Sequence, residues 1–376
     1  MNDSQKLSVQ KVRGRGALEN PTGRFERLTL GVDAESFQNA HDLAQDEFAA
    51  TAAADPRAEK RMATQVFRDP SRSIVSTNDS PDLSMDTTLN PYRGCEHGCI
   101  YCYARPTHEY LGLSAGLDFE TKIFAKPDAP KLLQQKLGAK SWQPRTLMLS
   151  GVTDPYQPIE REMKITRGCL ETLLAFRNPA GIITKNNLVT RDIDIFTQMA
   201  KYNLIMVNLS ITTLDGQLAR TMEPRASQPK LRLDAVEQLA RAGVPVGIMI
   251  GPVVPGLTDH EIPGILEAAA KAGARSAGYT IMRLPYGVKD LFQTWVREHF
   301  PDRAQKILNR IRGMRGGKLN DPNFVTRMRG EGFFAEQIAQ IFRKYKKLYG
   351  LDKGWPELST AHFRRHAMSG QMELFE

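Results

Sequence analysis

The sequence predicts an α/β protein built on a partial (β/α)6 barrel, with an irregular N-terminal arm and a helical C-terminal extension. Between about residues 86 and 282, six β-rich segments alternate with amphipathic helical stretches, and each segment is a dozen or more residues from the next. Such spacing favours parallel pairing through right-handed crossovers. In that architecture the functional residues gather beyond the carboxyl ends of the strands.

The predicted strands are short runs rich in Val, Ile, Leu and Thr, bounded by turn-forming residues. They are Thr87–Tyr92, Thr146–Ser150, Ala180–Thr184, Leu204–Ile211, Val244–Ile250 and Arg275–Met282. Helices with a 3.6-residue apolar period are predicted at Met163–Phe176, Arg191–Tyr202, Lys230–Ala242 and Asp259–Ala272. A longer connection, interrupted by prolines, follows the first strand.

The segments on either side of residues 86–282 differ from the barrel in composition. Residues 1–85 show little periodicity and predict a partly irregular arm, which has a basic opening at 13–17. Residues 283–366 predict a basic helical extension, in which an apolar stripe within 334–349 is expected to pack into the core. Residues 367–376 are predicted to form a flexible tail.

Composition and charge narrow the class of protein. The chain has no apolar run of about 18 residues, and its first residues lack the apolar core of a secretion signal, so we expect a cytoplasmic protein with no membrane span. The formal charge is +9, and residues 283–376 hold 18 Lys or Arg against 10 Asp or Glu. This excess favours a polyanionic partner such as DNA or RNA; a solvated basic face is the alternative.

Three of the four cysteines lie within eight residues, at Cys95, Cys99 and Cys102. Three thiolates on one tight loop can bind three irons of a [4Fe–4S] cubane and leave the fourth iron open for an exogenous ligand. An open iron indicates a cluster used for chemistry. The sequence therefore predicts a reactive iron–sulfur centre on this loop.

Two alternatives remain open for these thiols. A structural zinc ion needs four protein ligands, so His97 or His108 would have to complete the set. An electron-transfer cluster would need Cys169, which is distant in sequence, as its fourth ligand. Otherwise Cys169 is expected to be an inert buried thiol on the helix after the second strand.

The spacing Cys-x3-Cys-x2-Cys after a first strand resembles the signature of the radical S-adenosylmethionine (SAM) superfamily. The segments Asn90–Cys95, Thr153–Glu160 and Thr184–Lys185 are similar to the spore photoproduct lyase-related branch. The resemblance implies a radical SAM barrel in which SAM binds the open iron of a [4Fe–4S] cluster. A reducing partner such as flavodoxin or ferredoxin would supply the electron that cleaves SAM to methionine and a 5′-deoxyadenosyl radical.

The resemblance also implies which residues contact SAM. The loop after the second strand would contact the methionyl group, Lys185 would neutralise the SAM carboxylate, and Ser210 would hydrogen-bond the carboxylate or ribose. Gly251 would let the backbone pass beneath the adenosine, because it has no side chain. The full predicted set is Tyr101, Tyr103, Ser150, Thr153, Asp154, Lys185, Ser210 and Gly251.

A dense polar run follows the second predicted strand. Within it, Tyr156, Gln157 and Glu160 are expected either to reach the substrate or to brace the mouth of the barrel. Spore photoproduct lyase uses a cysteine near this strand as a hydrogen-atom donor, and the present sequence has none there. The resemblance therefore does not imply thymine-dimer repair itself.

Three functions are compatible with the sequence. They are a radical SAM enzyme that acts on nucleic acid, for repair or base modification, one that acts on a protein or small molecule, and a non-enzymatic iron–sulfur redox sensor. The basic C-terminal quarter favours the first.

The final residues offer a separate interaction. Gln371, Leu374 and Phe375 lie in the segment Gln-Met-Glu-Leu-Phe, which resembles the peptide that bacterial proteins insert into the DNA sliding clamp. Such a peptide binds by burying its Leu and Phe in an apolar pocket while the glutamine is hydrogen-bonded. The resemblance implies the clamp as a second partner.

Anaerobic reconstitution is expected to give about four irons per chain, because three thiolates suffice to hold a cubane. Changing Cys95, Cys99 or Cys102 to Ala should abolish iron binding, whereas Cys169→Ala should leave it intact. Iron analysis and the broad visible absorption of the cluster measure both results. Loss of iron in Cys169→Ala would show that the fourth iron is not open.

Overall fold

The computed structural model describes residues 14–25, 62–82, 86–354 and 357–365. The clamp-like residues Gln371, Leu374 and Phe375 lie outside these ranges, so the clamp interaction stays a prediction. Within the described part, no helix is long and apolar enough to cross a membrane.

Ten strands form two sheets in the described part of the chain. They are β1 Gln65–Arg68, β2 Val75–Thr77, β3 Thr87–Leu89, β4 Tyr92–Arg93, β5 Lys122–Ala125, β6 Leu147–Leu149, β7 Ala180–Thr184, β8 Ile205–Ser210, β9 Val246–Val253 and β10 Ser276–Ile281. The larger sheet has the order β10-β9-β8-β7-β6-β3-β2, in which all pairs are parallel except β2 with β3. The smaller sheet has the order β1-β5-β4.

The larger sheet confirms the predicted α/β class and partial barrel. Strands β3 and β6 to β10 coincide with the six predicted strands, and their ends differ by no more than three residues. The sheet is open, because β10 and β2 are its two edges and do not pair with each other. The antiparallel edge strand β2 was not predicted, since its three residues are too few for an alternating pattern to show.

Helices cover the sheet and extend beyond it. They are α1 Leu117–Thr121, α2 Ala129–Gly138, α3 Glu160–Met163, α4 Ile165–Ala175, α5 Ile193–Ala200, α6 Gly216–Met222, α7 Pro229–Arg241, α8 Ile262–Lys271, α9 Val288–His299, α10 Ala304–Gly313, α11 Thr326–Arg329 and α12 Phe333–Leu348. Short 3-10 helices add Arg105–Leu111, Asn187–Asp192 and Asp259–Glu261. The four predicted helices correspond to α4, α5, α7 and α8.

The described part of the chain contains two large hydrophobic cores and a small cluster of Cys95, Ala104 and Phe119. The main core joins the parallel strands to α4, α5, α7 and α8, and β8 is buried along its whole length, as expected for a parallel strand covered on both faces. A second core lies under the cysteine loop and joins Ile100 and Tyr101 to Trp295 of α9 and Ile307 of α10. The first helices of the C-terminal extension are therefore part of the support of the cysteine loop.

The apolar stripe of α12 is only partly buried, contrary to the expectation that it packs into the core. Ile338 and Phe342 are buried, but Phe334, Ile341 and Leu348 are exposed. The reason is that α12 packs mainly on α8, with Phe342 also against Tyr279 of β10, so that its neighbours cover a narrow face of the helix.

Candidate active site

The three clustered cysteines lie on a loop between β4 and the 3-10 helix Arg105–Leu111. Backbone hydrogen bonds from Gly98 N to Cys95 O (3.4 Å) and from Cys102 N to Cys99 O (3.1 Å) fold the loop back on itself. Gly98 has φ of +66°, and an added Cβ would lie 2.6 Å from the Glu120 carboxylate. The turn therefore needs glycine, and the three thiols lie close enough to influence one another electrostatically.

The environment of the thiols fits a cluster held by three cysteines. Burial raises the pKa of Cys95, and the nearby Asp154 carboxylate and the other two thiols raise it further. Such thiols ionise when a cationic metal centre binds them, since the metal replaces the missing positive charge. Cys169 lies apart from the loop, in the main core, with no exposed surface. It is thus not placed to be a fourth ligand.

The structure argues against His97 as the fourth ligand of a zinc ion, whereas the Nδ1 of His108 is buried without a hydrogen-bond partner. Both ring nitrogens of His97 are engaged, with Nδ1 3.3 Å from Asp154 and Nε2 3.2 Å from Asn186. Among the described residues, no three His, Cys, Asp or Glu side chains form the ligand set of a metal ion. A cubane makes a different demand, because each cysteine binds a separate iron atom.

Arg105 and Glu120 form a fully buried ion pair that holds the cysteine loop. The five N–H donors of Arg105 bind Glu120 and four carbonyl oxygens. Those of Gly98 and Cys99 belong to the loop itself, at 3.1 and 3.0 Å, and those of Ala115 and Gly116 precede α1. The guanidinium thus joins the loop to the segment that follows it.

The N-terminal arm completes this support. The Glu120 carboxylate accepts hydrogen bonds from the backbone N–H groups of Gly16 (2.9 Å) and Ala17 (2.8 Å), and Arg15 donates to Glu120 O at 2.8 Å. Gly16 lies so close to the cysteine loop that an added Cβ would stand 1.8 Å from the carbonyl oxygen of Gly98. Residues 15–17 therefore act as a strap across the cysteine loop, hereafter the N-terminal strap.

A second buried carboxylate anchors the other side of the loop. Glu96 accepts hydrogen bonds from Arg225 (2.8 Å), from Thr64 (2.7 Å) and from the backbone N–H of Ile159 (2.6 Å). Thr64 also accepts a bond from Arg15 of the N-terminal strap. The strap and the residues around Ile159 thus meet at the cysteine loop.

Asp154 organises the residues that follow β6 and β7. Its carboxylate accepts bonds from the Thr184 hydroxyl (2.7 Å) and from the backbone N–H groups of Tyr156 and Lys185 (both 2.9 Å). Burial alone would raise the pKa of Asp154, but His97 and these donors lower it to about 2. The carboxylate is therefore ionised and fully engaged within the protein, so it positions Lys185.

Lys185 points its ammonium towards the cysteine loop. Its Nζ is 3.2 Å from the carbonyl oxygen of Gly251 and 5.7 Å from the centre of the Tyr101 ring. The ammonium lowers the pKa of both Cys99 and Cys102, although burial dominates and raises them. The structure thus brings together three of the residues predicted to bind SAM, from three different parts of the sequence.

A buried polar cluster beneath Tyr101 was missed by the sequence analysis. Glu223 accepts hydrogen bonds from the Tyr101 and Thr212 hydroxyls and pairs with Arg232, which also donates to the carbonyl oxygen of Ser210 at 2.9 Å. Burial would raise the pKa of Glu223, but Arg232 and Lys185 lower it to about 2. The ionised Glu223 fixes the Tyr101 ring. No local spacing in the sequence marks this set of residues.

The remaining predicted SAM residues lie around this centre. Thr153 is buried and donates to the carbonyl oxygen of Gly94 at 2.6 Å, next to Cys95. Ser150 is half-buried, and its hydroxyl donates to Thr153 O at 3.3 Å. Tyr103 is 52% exposed, and its hydroxyl donates to Gly151 O at 2.6 Å, so its ring lies at the mouth of the site.

Tyr156, Gln157 and Glu160 are buried without any exposed surface. Tyr156 donates to Asp192 at 2.9 Å, and Gln157 bonds to the backbone N–H of Glu96 at 2.9 Å. Glu160 accepts from Tyr92, from Arg191 and from two backbone N–H groups at the start of α4. This placement favours the bracing role over contact with substrate.

The chain is similar in sequence to a known protein family and to proteins of other organisms. The family model described as "Radical SAM superfamily" matches residues 89–269, which span the cysteine loop and strands β6 to β9. An uncharacterised protein of Mycobacterium tuberculosis (strain H37Rv) is 32% identical over 262 residues, covering 69% of this chain and 74% of that protein. The chain belongs to the radical SAM superfamily. An uncharacterised protein of Methanocaldococcus jannaschii is 32% identical over 174 residues, or 46% of this chain and 62% of that protein.

The solved structures place this radical SAM chain in the same fold. Spore photoproduct lyase complexed with a dinucleoside spore photoproduct superposes with a TM-score of 0.54 at 14% identity, covering 83% of this chain and 91% of that chain. Membership of the superfamily implies a [4Fe–4S] cluster, SAM and a reductant. The three thiols of the cysteine loop are the residues that would hold that cluster, and the Lys185 ammonium lies near them, beside Tyr101.

Replacing Gly16 should damage the iron site without touching a cysteine. The added methyl of Gly16→Ala cannot fit against Gly98, so the N-terminal strap must leave the loop. We expect fewer irons per chain after reconstitution and faster bleaching of the cluster in air. Gly138→Ala is the matched control, because an added Cβ there meets nothing within 4 Å. Equal iron retention in the two variants would show that the N-terminal strap plays no part in holding the cluster.

Lys185→Met should retain iron but weaken SAM binding. Loss of one charge-assisted hydrogen bond is expected to cost on the order of 1 to 3 kcal/mol. Equilibrium binding of SAM to the reconstituted protein measures the change. Lys201→Met removes the same charge from an exposed position after α5 and should not alter affinity. An unchanged SAM affinity in Lys185→Met would exclude contact between Lys185 and the SAM carboxylate.

Proposed function

We propose that this radical SAM enzyme acts on nucleic acid, with its cluster on Cys95, Cys99 and Cys102. The observation that carries the proposal is a basic groove of about 350 Å³ between the connection after β9, α10 and α12. Arg303 and Lys306 line it as exposed cations, and Phe334 adds an aromatic ring that is 37% exposed. Cations beside an exposed aromatic ring favour a phosphate backbone with a stacked base.

The charges of the groove are only partly neutralised within the protein. Arg310 lies over the Phe334 ring, with 5.2 Å between Cζ and the ring centre, and pairs with Asp259 at 3.2 Å. Arg303 donates to the carbonyl oxygen of Gly256 at 2.9 Å, so its charge has no carboxylate partner among the described contacts. Positive potential therefore remains for a polyanion.

The relatives supply a second line of support. Spore photoproduct lyase, which shares the fold, binds a dinucleoside photoproduct in its solved complex. The present chain has the same fold but no cysteine near its second barrel strand, so we do not assign it the same reaction. What the two proteins are proposed to share is a nucleic-acid substrate.

The protein supplies positioning in this proposal. When bound, the reduced cluster supplies the electron for SAM cleavage. Lys185 neutralises the SAM carboxylate, Tyr101 lies beside Lys185, and the Arg105–Glu120 pair holds the cysteine loop in place. Substrate enters at the open side of the barrel, where the exposed Tyr103 lies.

The substrate class can be tested by hydrogen-atom transfer. The reconstituted, reduced protein is incubated with SAM and, separately, with the nucleic-acid, protein and metabolite fractions of cells grown in deuterated medium. We expect deuterium in 5′-deoxyadenosine only with the nucleic-acid fraction, as measured by mass spectrometry. The triple Cys95→Ala, Cys99→Ala, Cys102→Ala variant is the control for background cleavage. Deuterium transfer from the protein or metabolite fraction alone would replace nucleic acid with that class.

A further inference from the structure

The open side of the barrel is bridged by side chains rather than by strand pairing. Asp82 lies between the edge strand β2 and β3, and its side chain is 2% exposed. It accepts hydrogen bonds from the Val325 backbone N–H and from Arg327, which follow β10 in the chain, and Arg327 also donates to Ser80 at 2.6 Å. These contacts join the two edges of the sheet near the exposed Tyr103.

Arg283 lies at this opening with almost no internal partner. It follows the end of β10, and its guanidinium carbon is 5.7 Å from the centre of the Tyr103 ring. Its single described hydrogen bond runs from Nη1 to the thioether sulfur of Met328 at 3.4 Å, and sulfur is a weak acceptor. Its Nε is buried and has no partner. The guanidinium therefore has N–H donors available to an anion.

Two further arginines raise the positive potential around Arg283. Arg315 is 5% exposed and donates to the carbonyl oxygens of Met282 (2.8 Å) and Thr326 (2.7 Å), while its Nε is also buried without a partner. Burial and the neighbouring charge of Arg327 lower the pKa of Arg283, and Tyr103 and the Asp82 carboxylate offset part of this effect. Of the three arginines, only Arg327 has a carboxylate at hydrogen-bonding distance in the described part of the chain.

We propose that Arg283 binds a phosphate of the substrate at the open side of the barrel, with Arg315 and Arg327 supplying the surrounding positive potential. The flat face of Tyr103 lies beside this site and is half exposed, so an anion and a ring can be held together. A nucleotide unit has both groups, and the pairing of a guanidinium fork with phosphate oxygens is geometrically favourable. Because Tyr103 adjoins Cys102, a ring stacked there lies next to the cluster. This inference rests on the proposed nucleic-acid function and names the residue that receives the substrate.

The test uses the full-length reconstituted protein and three fluorescent single-stranded oligothymidylate probes. One has the ordinary phosphodiester backbone, one has a single neutral methylphosphonate linkage at its centre, and one is methylphosphonate throughout. Binding is measured by fluorescence anisotropy for the wild type, Arg283→Met and Arg283→Lys. Arg275→Met is the matched control, because Arg275 is an exposed arginine before the opposite end of β10. Iron content, SAM affinity and inorganic pyrophosphate binding are measured on the same samples.

For Arg283→Met we expect affinity for the phosphodiester probe to fall on the order of tenfold, as for loss of one charge-assisted contact. Arg283→Lys should have intermediate affinity for this probe, because lysine keeps the positive charge but lacks the paired N–H groups of a guanidinium. Arg275→Met should bind the probe as the wild type does. The wild type should bind the probe with one central methylphosphonate more weakly than the phosphodiester probe. In Arg283→Met the difference in affinity between these two probes should be smaller. Should Arg283→Met not fold, the comparison of wild type and Arg283→Lys across the probes carries the test.

The possible failures are distinguishable. If the wild type binds the phosphodiester probe and Arg283→Met binds it equally well, the phosphate site is wrong and the nucleic-acid function stands. If no probe binds but pyrophosphate binds in an Arg283-dependent way, the phosphate site stands and the nucleic-acid function is wrong. If Arg283→Met loses SAM affinity instead, Arg283 serves the SAM carboxylate and the inference is overturned.

Discussion

The buried carboxylate of Glu120 is the contact on which the cysteine loop depends. It receives two backbone N–H groups from the N-terminal strap and one arm of the Arg105 guanidinium, and neither side chain of the ion pair is exposed. A buried ion pair of this kind need not add net stability compared with an apolar core, but removal of one partner leaves an unpaired charge and costs about 3 to 5 kcal/mol. The pair therefore specifies one conformation of the loop.

Three other buried carboxylates of the site also accept several hydrogen bonds and so fix the residues around them. Glu96, Asp154 and Glu223 each lie at the centre of several donors, and each fixes a different part of the surroundings of the thiols. Together they account for the orientation of Lys185 and Tyr101. The side chains expected to meet SAM are thus held in place by contacts within the protein, which reduces the entropy that binding must remove.

The fold was predictable, and the cysteine cluster recognisable, because their signals are local. Strand alternation with helices and the spacing of Cys95, Cys99 and Cys102 can be recognised within short windows of sequence. The pairing of Glu120 with residues 16 and 17, about one hundred positions away, leaves no local pattern. The polar run after β6 is visible in the sequence, but the sequence does not show whether these residues contact substrate or brace the barrel. The reason is that Tyr156 and Glu160 hydrogen-bond to Asp192 and Arg191, which come after β7.

The cysteine loop shares an apolar cluster with residues near both ends of the described chain, which bears on the order of biosynthesis. Ile100 and Tyr101 belong to one buried cluster with Ala17 and with Trp295 of α9 and Ile307 of α10. During translation the thiols are made long before α9 and α10. The apolar support of the cysteine loop is therefore completed only after α10 has left the ribosome.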